Sequence, residues 1–215
     1  TGSYTIRGTN ADVQSGITGT ALYMSNAVGG IVTNDVTEAG VLWSQLVDTT
    51  GLTGGYWWAK ARTTNGVALT TTTASIRFIV DNSVPVVSIT NLGADQLLIG
   101  AYTIRGTNYD AQSGITGTAL YLTNAAGVIV TNDTTEAGVL WSQGVTTATL
   151  ADGYWWAYAR TTNGVSLTST TASIRFIVDN SVPVVSITNL GADQLLIGAY
   201  TIRGTNYDAQ SGITG

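Results

Sequence analysis

Tyr154-Trp155-Trp156-Ala157-Tyr158-Ala159-Arg160-Thr161 is the stretch whose reading decides the fold. Side chains of a β-strand point to opposite faces in turn, so a strand here sends Trp155, Ala157 and Ala159 to one side and Tyr154, Trp156, Tyr158 and Arg160 to the other. Small alanines beside one tryptophan suit the crowded space between two sheets, whereas tyrosines and an arginine suit an outer surface. The chain supplies its own check, because the same stretch occurs 98 residues earlier with Lys60 in place of Tyr158. A lysine is rarely buried without a partner, so this position faces outward.

What surrounds the strand repeats as well. Residues 4–101 recur as 102–199 with 16 differences, so 98 − 16 = 82 positions match, and 74–117 returns unaltered as 172–215. Near-identity at a fixed period marks an array of duplicated units. An array is selected for reach, stiffness or multivalency, since an active site needs only one good copy. Within one unit, apolar and polar residues alternate over short runs broken by Gly, Asn and Asp, with no sustained helical period. Strands are expected at 84–90, 101–106, 117–123, 139–143, 154–161 and 171–178. Asn163-Gly164, Asp152-Gly153 and Ala126-Gly127 read as turns with positive backbone dihedrals. About seven short strands in 98 residues is the spacing of a sandwich. The fold class expected is all-β: tandem antiparallel sandwiches with a 98-residue repeat.

Pro85 and Pro183, the only two prolines, mark the junctions, because proline cannot donate within a central ladder. The expected domains are then 1–80, lacking its first strand; 81–178, complete; and 179–215, the opening of a third. A chain that starts and stops inside repeats points to a segment of a continuous filament.

Composition narrows the function. Charged residues make up 10% and hydrophobic ones 44%, so each unit has a core to bury. The net charge of −5, with basic residues spread singly, offers nucleic acid no basic patch. No apolar run approaches the roughly 20 residues of a membrane helix, and no signal peptide opens the chain. Histidine and cysteine are absent, which removes disulfides, thiol nucleophiles, histidine bases and nearly all transition-metal sites. Serine and threonine lack an ordinary base, and the carboxylates lie in repeated turns, so the chain reads as no enzyme. Lys60 has no counterpart in the second copy, which argues against a Lys–Asn isopeptide staple in every domain. A Cys-free, Thr-rich, acidic chain fits export in an unfolded state through a bacterial secretion route. The Asn132-Asp133-Thr134 glycosylation acceptor is lost in the other copy, where Val36 replaces the threonine.

Taken in order, Val-Pro at a strand start, Tyr-Thr-Ile-Arg-Gly-Thr, Asp-x-x-Ser-Gly-Ile, Trp141, Leu150-Ala151-Asp152-Gly153-Tyr154, Ala157-Tyr158-Ala159 and Arg175-Phe176-Ile177-Val178-Asp179 resemble bacterial immunoglobulin-like repeats. Such repeats stack in giant surface adhesins and biofilm-matrix proteins. The resemblance implies an immunoglobulin-like sandwich, Trp43 and Trp141 as core plugs, and a stalk, spacer or adhesive role outside the cell. The Tyr-Trp-Trp run and the scarcity of charge depart from the family pattern and favour lateral packing or a flat partner.

Two constellations stand out. Tyr56, Trp58, Tyr121, Tyr154, Trp156 and Tyr158 form a candidate interaction surface that stacks on glycan, buries against another copy of the chain, or is covered by loops and Arg160. The carboxylates and amides of Asp81, Asn108 and Asp110, and of Asp179, Asn206 and Asp208, are expected to converge at the two junctions. Calcium takes 6 to 8 hard oxygens and is the candidate ion there, with simple turn formation as the alternative. Glu38 and Glu136, beside Asp35 and Asp133, read as a solvated loop. The Leu195-Leu196-Ile197 run is expected to give apolar contact within the sandwich or across the seam between neighbouring domains.

Overall fold

The structure, a computed structural model, describes residues 2–36, 41–134 and 139–212. The chain divides into two compact units. Unit 1 comprises Thr1–Val84 with Asp110–Gly114 and Asn163–Leu167, and unit 2 comprises Pro85–Tyr109, Ile115–Thr162 and Thr168–Gly215. One edge of this division falls at Val84/Pro85. Glu38 and Glu136 lie outside the described residues.

Unit 1 runs through β1 (Ser3–Thr9), β2 (Ile17–Asn26), β3 (Ile31–Val36), β4 (Leu42–Asp48), β5 (Gly55–Asn65), β6 (Thr70–Thr72) and β7 (Ile76–Val80). β1 pairs with β4, and a second sheet has the order β3-β2-β5-β6, with β7 also on β5. Unit 2 contains β8 (Val86–Ile89), β9 (Gln96–Leu98), β10 (Ala101–Tyr109), β11 (Ile115–Asn124), β12 (Ile129–Thr134), β13 (Leu140–Thr146), β14 (Gly153–Asn163), β15 (Thr168–Thr170) and β16 (Ile174–Val178). Its sheets are β13-β10-β8 and β12-β11-β14-β16-β9, with β15 also on β14. β17 (Val184–Ile187) and β18 (Gly204–Tyr207) pair with each other further on. Apart from a 3₁₀ turn at Thr147–Thr149, the regular elements among the described residues are strands.

The two sheets of unit 2 are joined by one core, which makes it a sandwich. Ile104, Trp141 and Val145 come from the small sheet; Leu120, Leu122, Trp155, Ala157, Ala159, Phe176, Val178 and Leu98 come from the large one. Alternation does the sorting: along β11, Thr118, Leu120 and Leu122 are buried while Tyr121 between them is half-buried. Each fully buried Leu or Phe contributes roughly 1.5–3 kcal/mol, so this cluster outweighs the few polar groups sealed beside it. The Trp155 indole escapes a desolvation cost by donating to the Ala151 carbonyl at 2.8 Å. Pairing registers recur between units: Tyr4 faces Val47 on β1–β4, and Tyr102 faces Val145 on β10–β13.

All six strands read from the sequence exist, although the last begins at Ile174 rather than at residue 171. Three more in unit 2, β9, β12 and β15, were not expected. β12 takes Asp133 into its backbone ladder, and β3 takes Asp35, so these two residues belong to strands and not to a loop. β9 lies parallel to β16, with Leu98 opposite Val178 and 2% exposed. In the first copy of the Leu-Leu-Ile run Leu98 packs inside the sandwich while Leu97 and Ile99 are exposed, and Leu195, Leu196 and Ile197, the run read from the sequence, are all exposed. At Asn163-Gly164 the positive φ falls on Ser166, at 66°, and not on the glycine. Gly164 is required by space instead: a Cβ would stand 2.5 Å from the Ser113 carbonyl oxygen.

Candidate functional site

The outer face of the large sheet in unit 2 carries the aromatic candidates. Tyr154 is exposed, while Trp156 and Tyr158 are half-buried. Tyr121 on β11 stacks on Tyr158, with ring centroids 4.9 Å apart and planes 5° from parallel. Arg175, opposite Trp156 in the ladder, lies 4.8 Å over the Tyr154 ring and donates to Asp95 through Nε at 2.5 Å and Nη2 at 2.8 Å. Among the described residues of unit 2, the cation over an aromatic ring is Arg175. On unit 1 the same face has Tyr56 exposed and Trp58 half-buried. There Tyr23 faces Lys60 across the ladder, Arg62 lies 5.4 Å over Tyr23, and Arg77 lies 4.6 Å over Tyr56.

The first carboxylate group forms a hydrogen-bonded hub. Asp81 is buried, and its Oδ2 accepts from Ser113 Oγ at 2.5 Å and from the Asn163 amide at 3.0 Å. Asp110 Oδ2 accepts from the same amide at 3.0 Å, and its Oδ1 accepts from the backbone N–H of Gln112 and Ser113. The Asn163 amide also donates to the Ser83 carbonyl, while its Oδ1 accepts from the N–H of Val165 and Leu167. That double acceptance fixes which end of Asn163 faces the carboxylates. Asn108 goes elsewhere: it is buried, and its amide donates to Thr118 Oγ1 at 2.6 Å, which in turn meets Thr161.

Asp179 and Asp208 line one cavity of about 300 Å³ with Ser181, Ser211, Leu97, Ile99 and Pro183. Asp179 accepts from the Ser181 N–H and Asp208 from the N–H of Gln210 and Ser211. Asn206 is exposed on β18 opposite Val185. Among the described residues no group of three or more Asp, Glu, His or Cys stands close enough to hold a metal.

These carboxylates are tuned by local donors. The Ser15 N–H, followed by the Asn65 amide, holds Asp12 at about 2 against an ordinary 3.8. Burial pushes Asp110 up, but the Asn163 amide and nearby N–H groups outweigh it and leave the group below its ordinary value. Asp208 is lowered mainly by the Ser211 N–H. A depressed folded-state value means that the stabilisation is complete above the unfolded pKa and is lost as pH falls through the folded one. The melting temperature is therefore expected to be level near neutrality and to fall between about pH 4 and pH 2, with a shallower acid limb in Asp12→Asn. Fluorescence-monitored melts across that range check this, and a curve that is level down to pH 2 would refute it.

Sequence reasoning missed the asparagines that tie the junction strands down. Asn180 donates to the Thr147 and Leu150 carbonyls and accepts from the Thr147 hydroxyl, while its N–H donates to Asp152. Ser181 Oγ donates to the same Asp152 carboxylate. Asn82 makes the matching pair of bonds to Thr49 and Leu52 in unit 1. The signal available was the recurrence of Asp-Asn-Ser before each Val-Pro.

Among the described residues no helix is long and apolar enough to cross a membrane. No protein-family model matches the chain, and no curated protein matches it. Among solved structures the chain is similar to the FN1–FN3 domains of chicken CNTN1, with 10% identity and a TM-score of 0.40 over 87% of this chain and 68% of that one.

Proposed function

We propose that the chain is a structural repeat unit of a long extracellular fibre or surface stalk, a non-enzymatic mechanical spacer with a matrix or adhesion role at a prokaryotic cell surface. Its repeats divide as 1–80, 81–178 and 179–215, and its first partners are neighbouring copies of the same domain. The observation that carries this reading is the parallel pairing of β9 with β16. β9 lies near the start of its repeat and β16 at the end. Tension between the ends pulls two parallel strands in opposite directions, loading their hydrogen bonds together in shear. An antiparallel terminal pair loaded from one end would unzip bond by bond. The Asn180 and Asp152 bonds pin the outgoing strand where the load leaves the sandwich, and Asn82 does the same in unit 1.

Forced unfolding reports the unfolding barrier and not equilibrium stability. Pulling single chains by their ends should give a high-force peak for the complete repeat. Leu97→Pro, which removes an N–H from β9, should abolish that peak while the rest of the core persists. Equal unfolding forces in the two proteins would overturn the mechanical reading.

Calcium remains the candidate ion for the junction carboxylates, where it and the asparagine amide are alternatives for one place. The second reading is a multivalent carbohydrate-binding module, favoured by Tyr154 and Trp156 on an open sheet face. Glycan retention lost in Trp58→Ala and Trp156→Ala would support it.

A further inference from the structure

Unit 2 has two edge strands that come from the start of its repeat. β8 lies on β10 and completes the small sheet, β9 lies on β16 and completes the large one, and this segment sends Val87, Ile89, Leu92 and Leu98 to the core. In unit 1 the matching edges are bare among the described residues: β1 pairs with β4 alone and β7 with β5 alone. There an apolar groove of about 460 Å³ has Tyr4, Ile6, Val47, Phe78 and Val80 in its walls. Each has an identical counterpart 98 positions on, in Tyr102, Ile104, Val145, Phe176 and Val178. Covering makes the difference: Ile104 and Phe176 are fully buried, whereas Ile6 and Phe78 are half-buried and Tyr4 is exposed.

The chain also carries a second copy of the segment that does the covering. Residues 182–199 repeat 84–101 without a change. Here β17 pairs with β18, and Val185, Ile187 and Leu196, which match Val87, Ile89 and Leu98, are exposed. The loop is nevertheless set as in unit 2: Gln194 accepts from the Gly191 N–H at 2.9 Å and Asp193 holds φ at 58°, against 3.0 Å and 58° for Gln96 and Asp95. Asp95 is ion-paired with Arg175; among the described residues the matching Asp193 and Arg77 are in no ion pair.

We infer that the groove of unit 1 takes residues 184–196 of a second copy of this chain. The register follows from unit 2. β17 of the second chain leaves β18 for the edge of β1, exchanging one set of backbone bonds for another, and Gln194-Leu195-Leu196 lies parallel to β7, with Leu195 opposite Ile79 and Leu196 turned into the core. Asp193 then meets Arg77 as Asp95 meets Arg175. Bare sheet edges invite a strand of this kind, with backbone bonds giving affinity and alternate side chains giving specificity. Groove and inserted segment are different surfaces, so the contact is heterologous and one chain can follow another. It does not rest on the mechanical reading, since the Leu97→Pro chain keeps both the groove and the segment that fills it.

Sedimentation velocity of the 215-residue chain over a concentration series reads the association, and single-cysteine chains read the register, because the sequence has no cysteine of its own. Wild type should form a concentration-dependent series of oligomers. Leu196→Asp, which puts a carboxylate where the matching Leu98 is buried, should weaken association about a hundredfold or more. Leu195→Asp should associate like wild type, since the matching Leu97 stays exposed beside β16. Both leucines are exposed in the free chain, so folding is not at stake. Mixed under mild oxidation, Ile79→Cys and Leu195→Cys chains should join as a disulfide-linked pair, because the matching Ile177 and Leu97 stand opposite each other in the ladder. Either chain alone should cross-link far more slowly. The inference is overturned by a wild type that stays monomeric throughout or by cysteine chains that link as readily alone as mixed. A Leu195→Asp chain as weak as Leu196→Asp also overturns it, since unspecific apolar sticking gives that result.

Discussion

Replacing Gly106 by alanine is expected to lower the unfolding free energy of unit 2 by about 3 kcal/mol or more, the upper end of what overpacking costs. Gly106 sits mid-strand on β10, between Ile89 on one side and Trp141 on the other. A Cβ there would fall on the Ser88 carbonyl oxygen and on the Trp141 indole at once. Neither neighbour can step aside cheaply: one is backbone held in the β8 ladder, and the other is a fully buried ring that fills the space between the sheets. The glycine is demanded by close approach and not by its dihedral, which is not among the positive ones. Gly144, on the adjacent strand, meets nothing within 4 Å of an added Cβ. Gly144→Ala should stay within about 0.5 kcal/mol of wild type. Shrinking the ring with Trp141→Phe should rescue Gly106→Ala only in part, because the carbonyl remains. Denaturant titration of the four proteins decides it: a Gly106→Ala chain as stable as Gly144→Ala would mean that β8 does not run where the structure places it.

How much of this was legible beforehand depended on whether a signal was local. The face assignment of Tyr154–Thr161 was legible because period-2 alternation is written in eight consecutive residues, and Lys60 tested it from within the chain. Trp43 and Trp141 followed from the family resemblance. β9 was not legible: Gln96-Leu97-Leu98 is too short to show a period, and its partner Phe176 lies 80 positions away. β15, as Thr168-Ser169-Thr170, has no apolar residue to signal a strand. Asn108 was grouped with the carboxylates by type, although it continues the inward alternation of Ile104 and Gly106 and so belongs to the core side of β10. Asp81 and Asp110 do converge in the hub. The residue that joins them, Asn163, was read only as half of an Asn-Gly turn, because its partners at 81 and 110 lie far off in sequence.

Asn163→Ala should destabilise the protein by about 3–6 kcal/mol, because two hydrogen bonds to carboxylates, at about 1.5–3 kcal/mol each, are lost together. The change deletes the amide that Asp81 and Asp110 share and the two acceptor bonds that shape the turn at Val165 and Leu167. Two carboxylates then face one vacated place, and at roughly 4–8 °C per kcal/mol for a domain of this size the melting temperature should fall by more than about 12 °C. Asn163→Leu, which fills the volume, should do no better, which separates lost hydrogen bonds from a lost packing contact. Asn163→Asp goes further and sets a third carboxylate beside the other two, with the Ser83 carbonyl and the Ser113 hydroxyl within the same shell. In chelator it should be at least as unstable as Asn163→Ala; in calcium it should recover, because the ion neutralises the carboxylates that the amide N–H groups had bridged by hydrogen bonds. Wild type should melt alike in chelator and in calcium if the amide holds the place. A wild-type rise of about 10 °C or more, with calcium a hundredfold above its dissociation constant, would mean instead that the ion displaces the amide and that calcium stiffens the junction. The two outcomes assign the same pair of carboxylates either to a permanent internal bond or to an ion-dependent one, and hence decide whether the stalk proposed above would soften when calcium is withdrawn.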